Sequence, residues 1–126
     1  MAIQYLSSNF GKTKVMTDKP LVKVEISATF KKNIKNLQKK YRSIRKDVEP
    51  IIKQLQNGEL PGDRISSVGY LVFKLRINNS DVTKGKSGGY RLIYYVQTEK
   101  AIILLTIYTK SRQVNISTED IKIIIS

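Results

Sequence analysis

Two pairs of basic residues have the spacing that phosphate chemistry would need. Lys74 and Arg76 are two residues apart, and so are Lys110 and Arg112. In an extended strand alternate side chains project from the same face, so each pair presents two cations together. Arginine suits a phosphate because its guanidinium stays protonated and can donate two parallel hydrogen bonds. The spacing indicates an anion-binding surface, and the alternative is a solvated sheet face that merely carries basic residues.

The sequence contains no His and no Cys, which limits the available chemistry. Catalysis would have to proceed without imidazole, the usual base near neutral pH. Disulfides, thiolate nucleophiles and zinc sites built on His or Cys are excluded as well. We therefore expect no metal and no cofactor, and a small-molecule ligand is not indicated.

The charge balance indicates an anionic partner. Lys and Arg number 23 against 10 Asp and Glu, which gives a formal charge of +13 in 126 residues. Such an excess repels itself in a compact domain, and nucleic acid is its commonest partner. Anionic lipid, an acidic protein or a merely basic surface are the alternatives. Residues 1–20 lack the apolar run of a signal peptide, so a cytoplasmic location without membrane contact is expected.

Hydrophobic periodicity predicts the elements that position these cations. Alternating patterns predict strands at 21–27, 71–77, 90–96 and 101–108, the last apolar on both faces and therefore central. Stripes at helical spacing predict a helix from Thr29 and a second one capped by Ser43. Pro50 either kinks that second helix or moves its start to Asp47. Ser117 should cap a last short helix over 118–125.

The predicted fold class is α+β, with the order β-α-α-β-β-β-α. Its small, mainly antiparallel sheet has four strands, and a two-helix hairpin lies on one face. Residues 1–20 are expected to form a loosely ordered N-terminal extension, and residues 21–126 a single domain. Residues 59–69 are assigned to a loop.

Alternation also predicts which side chains share a face of the sheet. Phe73 and Leu75 should face the helices, so Lys74 and Arg76 lie on the opposite, open face. On the third predicted strand Leu92 packs inward, and Arg91 joins the cations. Tyr95 and Tyr108 are the tyrosines best placed to stack on single-stranded bases.

The glycine-rich connection at 83–89 resembles a phosphate loop only superficially. Ser80 stands where the P-loop pattern needs its first glycine, and the segment joins two strands. It is either a flexible connection or a clamp on an RNA backbone that uses Lys84 and Lys86.

Four segments resemble toxins of the RelE/ParE superfamily, of the RelE/HigB type. The similarity runs from about Leu21 to the end of the sequence. It is carried by Phe30-x3-Ile34-x2-Leu37-x3-Tyr41, Phe73-Lys74-Leu75-Arg76-Ile77, Gly85-Lys86-Ser87-Gly88-Gly89-Tyr90-Arg91-Leu92-Ile93-Tyr94-Tyr95 and Ile107-Tyr108-Thr109-Lys110-Ser111.

The resemblance implies a small antiparallel sheet backed by two helices, and a toxin that an antitoxin neutralises. Better-known members cleave mRNA in the ribosomal A site. Lys74, Arg76, Arg91 and Lys110 match basic positions of the family. Ile116 is nearest to the position where some members place a catalytic tyrosine. Relatives that poison DNA gyrase without cutting RNA, or a simple RNA-binding module, remain the alternatives.

The resulting hypothesis is a metal-independent endoribonuclease in which the RNA 2′-hydroxyl attacks the adjacent phosphate. Lys74 or Lys110 would act as base or acid, Arg76 and Arg91 would hold the phosphate, and Tyr108 would relay a proton or stack. The expected partners are an acidic antitoxin, mRNA and the ribosome. The expected RNA-binding residues are Lys84, Lys86, Arg112 and Tyr95.

Overall fold

A computed structural model of the chain describes residues 21–82, 89–110 and 116–126. The proposed extension at 1–20 lies outside the described residues. Seven of the observed elements correspond to predicted ones, so the α+β class and the order of the predicted elements are confirmed. The elements are β1 Lys23–Ile26, α1 Ala28–Gln38, α2 Ile44–Gln56, β2 Asp63–Ile65, β3 Val72–Ile77, β4 Tyr90–Thr98, β5 Ala101–Thr109 and α3 Thr118–Ile125.

The sheet has five strands and not the predicted four. Their order is β1-β5-β4-β3-β2. Three of the neighbouring pairs are antiparallel, whereas β1 runs parallel to β5, which makes the sheet mixed. The additional strand, β2, falls in residues that were assigned to a loop. Its three residues are too few to show the alternation by which a strand is recognised.

Contacts with β3 and β4 explain why this short strand forms. Gly62 has a positive φ of 98°, and a Cβ at this position would collide with the backbone carbonyl of Lys74. Only glycine permits this approach. The Tyr94 hydroxyl donates a hydrogen bond of 2.5 Å to the carbonyl of Pro61. Together these contacts hold Asp63–Ile65 against β3, with Asp63 opposite Lys74.

One face of the sheet is covered by α1 and α2, as the two helical stripes predicted. The side chain of Ser27 accepts a hydrogen bond from the backbone N–H of Phe30 and so caps α1. Pro50 lies inside α2 without ending it, and Ser43 takes the N-cap position without a side-chain capping bond. The buried members of this helix-side cluster include Val24, Ile26, Phe30, Ile34, Ile44, Val48, Leu55, Tyr90, Leu92, Tyr94, Ile102, Leu104 and Ile107.

The opposite face is not open along its whole length, contrary to the sequence-based expectation. The Ser117 side chain caps α3 by accepting from the N–H of Asp120, and Ile121 of α3 is buried against this face. A short α3 with four isoleucines can cover only part of the sheet. The buried members of this α3-side cluster are Val68, Val72, Ile93, Ile103, Leu105, Tyr108 and Ile121.

A β-bulge interrupts the pairing of β4 with β5. Ile93 pairs with Thr106, but the next residue, Tyr94, pairs with Leu104, so Leu105 is an extra residue in β5. A bulge of one residue shifts the alternation of side chains beyond it. For this reason Leu105 and Tyr108, three residues apart, both belong to the α3-side cluster.

The core assignment predicts where truncation of a leucine destabilises the fold. Leu104 is fully buried, so Leu104→Ala should lower the free energy of unfolding by about 2–5 kcal/mol. Leu21 is 69% exposed, so Leu21→Ala should change it by no more than about 0.5 kcal/mol. Urea unfolding of both variants measures the difference. Equal, small losses would contradict the central position of β5.

Candidate functional site

Two arginines and a tyrosine stand side by side across three adjacent strands. Arg76 of β3 pairs with Arg91 of β4, and Arg91 pairs with Tyr108 of β5. Residues directly opposite one another share a face, with Cβ atoms about 4.5–5.5 Å apart. This arginine–tyrosine row lies on the face away from α1 and α2, where the alternation predicted Arg76 and Arg91 to be.

The row concentrates positive charge at a surface that solvent can reach. Arg76 is exposed and Arg91 is half-buried. Like charges directly opposite in a sheet repel each other, and an anion bound between the two guanidinium groups would relieve that repulsion. Both groups can bind a phosphate through two hydrogen bonds each. The arrangement is therefore suited to an anion such as a phosphodiester.

Tyr108 differs from the arginines because its side chain is buried. Only 7% of the residue is exposed, and its hydroxyl makes no hydrogen bond within the described part of the chain. Burial raises the pKa of Tyr108 above its usual value, and the positive charge of Arg91 offsets part of that effect. The phenol thus stays protonated at neutral pH and can donate a hydrogen bond. A ring this deeply buried cannot stack on a base, so that part of the hypothesis is wrong.

Lys74 lies one row away from the arginine–tyrosine row. It pairs with Ile93, which pairs with Thr106. On its other side Lys74 faces Asp63 of β2. Lys74 therefore has a carboxylate residue as its register partner, on a strand that the sequence did not predict.

The structure does not bring the other sequence-predicted residues into the row. Lys110 is exposed and follows the end of β5. Tyr95 is half-buried in an edge contact with Tyr70, with ring centroids 5.5 Å apart. It lies four residues from Arg91 along β4, a separation of about 13 Å. Lys84, Lys86 and Arg112 lie outside the described residues.

Ile116 contributes to packing of the hydrophobic core. It is half-buried and packs against the α3-side cluster. It therefore does not supply the tyrosine hydroxyl that the resemblance places near this part of the chain.

Sequence reasoning missed two aspartates that fix the start of the β3–β4 connection. The backbone N–H of Ser43 donates to Oδ2 of Asp81 over 2.8 Å, and the N–H of Ser80 donates to Oδ2 of Asp47 over 2.9 Å. The two bonds join the beginning of α2 to the residues that follow β3, and their partners are 38 and 33 positions apart in the sequence. No local signal marks such long-range partners, although aspartate near a helix start is a common N-terminal feature.

Burial and these carboxylates also affect a neighbouring tyrosine. Tyr90 is fully buried, and its hydroxyl has no hydrogen-bond partner among the described residues. Burial raises the pKa of Tyr90, and the charges of Asp47 and Asp81 raise it further. The hydroxyl consequently remains protonated. Tyr90 packs in the helix-side cluster, opposite Ile77 at the end of β3.

Within 21–82, 89–110 and 116–126, no three carboxylates stand close enough together to hold a metal ion. None of the helices in these ranges is both long enough and apolar enough to cross a bilayer.

The family model described as the RelE toxin of the RelE/RelB toxin–antitoxin system matches residues 22–125. The matched segment begins at Val22, close to the start at about Leu21 that the four motifs predicted. It includes all three strands of the arginine–tyrosine row. No curated protein matches the sequence.

The unpaired hydroxyl of Tyr108 leads to a stability prediction. A buried polar group without a partner costs about 1–3 kcal/mol. Tyr108→Phe should therefore raise the free energy of unfolding by about 1 kcal/mol. Tyr94→Phe is the matched control, because it removes the hydrogen bond to Pro61 and should lower that free energy by a similar amount. Equal losses in urea unfolding would show that the Tyr108 hydroxyl has a partner in the folded protein.

Proposed function

The chain belongs to the RelE toxin family, and from this premise we propose that this toxin inhibits translation by cutting messenger RNA as an endoribonuclease. The observation that supports this activity most directly is the arginine–tyrosine row. It offers two guanidinium groups and one protonated phenol at adjacent positions of a rigid sheet. These are the donors that a phosphate undergoing substitution requires.

Cleavage of RNA by its own 2′-hydroxyl needs three contributions from the enzyme. A base must remove the proton from that hydroxyl, donors must stabilise the additional negative charge on the phosphate, and an acid must protonate the departing 5′-oxygen. Fixed donors are effective in the second role because they need not reorganise during the reaction. The products are a 2′,3′-cyclic phosphate and a free 5′-hydroxyl, so the reaction consumes neither water nor a cofactor in this step.

The residues divide these roles according to position. Arg76 and Arg91 would bind the non-bridging oxygens of the phosphate, and the Tyr108 hydroxyl, which is buried in the free protein, would donate beside them once RNA binding exposes it. Lys74, one row away, or Lys110, just past the end of β5, would exchange protons with the 2′- and 5′-oxygens. Lys84, Lys86, Arg112 and Tyr95 would contact the RNA beyond the cut phosphate.

The ribosome would contribute what this small site lacks. Messenger RNA in the A site is single-stranded and held in place, so a toxin that enters there meets its substrate already positioned. Positioning of this kind supplies a large part of many enzymatic rate enhancements. The proposed function would place the toxin in the cytoplasm, where ribosomes and messages are found.

Substitution of Arg91 tests the proposed activity. Arg91→Ala should reduce message cleavage on translating ribosomes by about 100-fold or more, because a donor at the reacting phosphate is lost. The melting temperature should remain close to that of the wild type, because a half-buried surface arginine contributes little to stability. Arg91→Lys should restore activity only in part, since lysine keeps the charge but cannot donate in two parallel bonds.

Arg64→Ala is the matched control, because Arg64 is also an exposed strand arginine but pairs with Phe73 on the helix side of the sheet. It should cut at the wild-type rate. Cleavage by Arg91→Ala at that rate would refute the proposed site. A wild-type toxin that leaves messages intact, but traps DNA breaks in a parallel gyrase reaction, would refute the ribonuclease activity itself.

Membership of the family also implies an antitoxin, and the charge of the toxin indicates its chemistry. The net charge of +13 would be balanced best by an acidic protein segment. We expect such a segment to lie over the arginine–tyrosine row or the helical hairpin, and to shield the charges from RNA.

Co-expression with the adjacent reading frame tests the antitoxin proposal. Tagged toxin should retain an acidic protein on purification, and high salt should weaken the complex, because ionic contacts at a surface are screened. The toxin made alone should arrest growth. Absence of both an acidic co-purifying protein and toxicity would contradict the proposal.

A further inference from the structure

A pocket of about 210 Å³ opens at the edge of the sheet beside the arginine–tyrosine row. It exists because β1 is much shorter than β5. The last pair between them is Ile26 with Leu104, so β5 continues past the end of β1 with only β4 as a strand neighbour in the described chain. We call this space the β5-edge pocket, and it is lined by Asn33, Asn36, Leu37, Lys40, Tyr41, Ile107, Tyr108 and Thr109.

Asn33 of α1 stands where a further strand residue would otherwise be. Its Oδ1 accepts hydrogen bonds from the backbone N–H of Ile107 over 3.1 Å and from Oγ1 of Thr106 over 2.7 Å. A backbone N–H can only donate, so the atom facing β5 must be the amide oxygen. The amide nitrogen therefore points away from these two bonds, and it makes no hydrogen bond with the described residues. Asn33 is half-buried and lines the pocket, so we infer that its two remaining amide donors are left for a ligand there.

The other walls suit a flat, aromatic ligand. Tyr41 is half-buried and is held by an edge contact with Tyr90, with ring centroids 5.9 Å apart. Nζ of Lys40 lies 5.4 Å from the centroid of the Tyr41 ring. Leu37 and Ile107 add apolar surface. An aromatic wall, apolar contacts and a few oriented donors are the features by which proteins bind an unstacked base.

The pocket is connected to the phosphate site through one residue. Tyr108 lines the β5-edge pocket and also completes the arginine–tyrosine row, directly opposite Arg91. Its hydroxyl is buried and has no partner within the described ranges, and a buried unsatisfied group of this kind is often found at functional positions. A phosphate held in the row and a base in the pocket would therefore belong to neighbouring parts of one RNA strand.

We propose that the β5-edge pocket binds a base of the RNA next to the cut phosphate, and that the amide nitrogen of Asn33 selects bases with an acceptor atom at that position. The inference rests on the proposed ribonuclease function and adds a source of sequence preference to it. Selection follows because a base with a donor in place of the acceptor would leave both groups unpaired, which is more costly than a missing contact.

Asn33→Asp separates this role from the structural one. The carboxylate still accepts hydrogen bonds from the backbone N–H of Ile107 and the hydroxyl of Thr106. These donors of β5 therefore keep their partner, and the melting temperature should change little. The two donors become an acceptor. In a message pool that contains all codons, mapping of the cut ends should show a redistribution, with cutting beside the favoured bases reduced roughly tenfold relative to other sites.

Gln97→Glu is the matched control, because it makes the same change from amide to carboxylate at an exposed residue of β4 outside the pocket. It should alter the overall rate at most, and not the distribution of cut sites. If Asn33→Asp cuts with the wild-type distribution of sites, the proposal is refuted.

A measurement that does not depend on cleavage distinguishes failure of this proposal from failure of the ribonuclease. Side-chain amide resonances of wild-type protein are followed by nuclear magnetic resonance during titration with each of the four ribonucleoside monophosphates. The Asn33 amide should shift with some bases and not with others. No shift of Asn33 with any base would refute the pocket, whether or not the protein cuts RNA. A base-dependent shift in a protein that leaves messages intact would support the pocket while refuting the nuclease.

Discussion

The pairing of β4 with β5 holds the centre of the sheet, and the rest of the molecule is built on it. β5 is buried on both faces, with Leu104 in the helix-side cluster and Leu105 in the α3-side cluster. Because its backbone groups are out of reach of water, they must be satisfied by neighbouring strands or by side chains such as Asn33. The bulge at Leu105 then decides which side chains follow on each face. Without the extra residue, Tyr108 would face the helices and would not stand beside Arg91.

A second constraint is electrostatic. Folding places Arg76 and Arg91 directly opposite each other, so two like charges share one face of the sheet, an arrangement that is locally unfavourable. Apolar contacts above and below the sheet hold the two strands together. Functional sites commonly carry such unfavourable local arrangements, which the remainder of the fold supports. The same repulsion makes the row selective for ligands that bring negative charge.

Periodicity in the sequence predicted most of this architecture, and its failures have specific causes. The stripe from Phe30 to Leu37 predicted α1, and the alternation around Arg91 predicted β4. Both predictions succeeded because each element buries one face against a continuous core. β2 was missed because its pairing depends on Gly62 and on a hydrogen bond from Tyr94, both of which need the folded structure. For the same reason Asp63 beside Lys74 could not be foreseen. Burial of Tyr108 depends on the bulge, which leaves no mark in the alternation of a strand apolar on both faces.

The parallel pairing of β1 with β5 has a consequence for the time course of folding. Ser27, which follows β1, donates its side-chain hydrogen bond to the carbonyl of Leu105, 78 residues later. By contrast, β4 and β5 are joined by a tight hairpin, and only residues 78–89 separate β3 from β4, so the strands of the arginine–tyrosine row are close together in the sequence. Closing a long loop costs entropy before any contact repays it, which slows folding. We therefore expect the strands of the row to pair early. The packing of β1 and α1 against β5 should be the slow step. In the interval, a newly made toxin has its charged surface in place but an unfinished core, and a waiting antitoxin could capture it then.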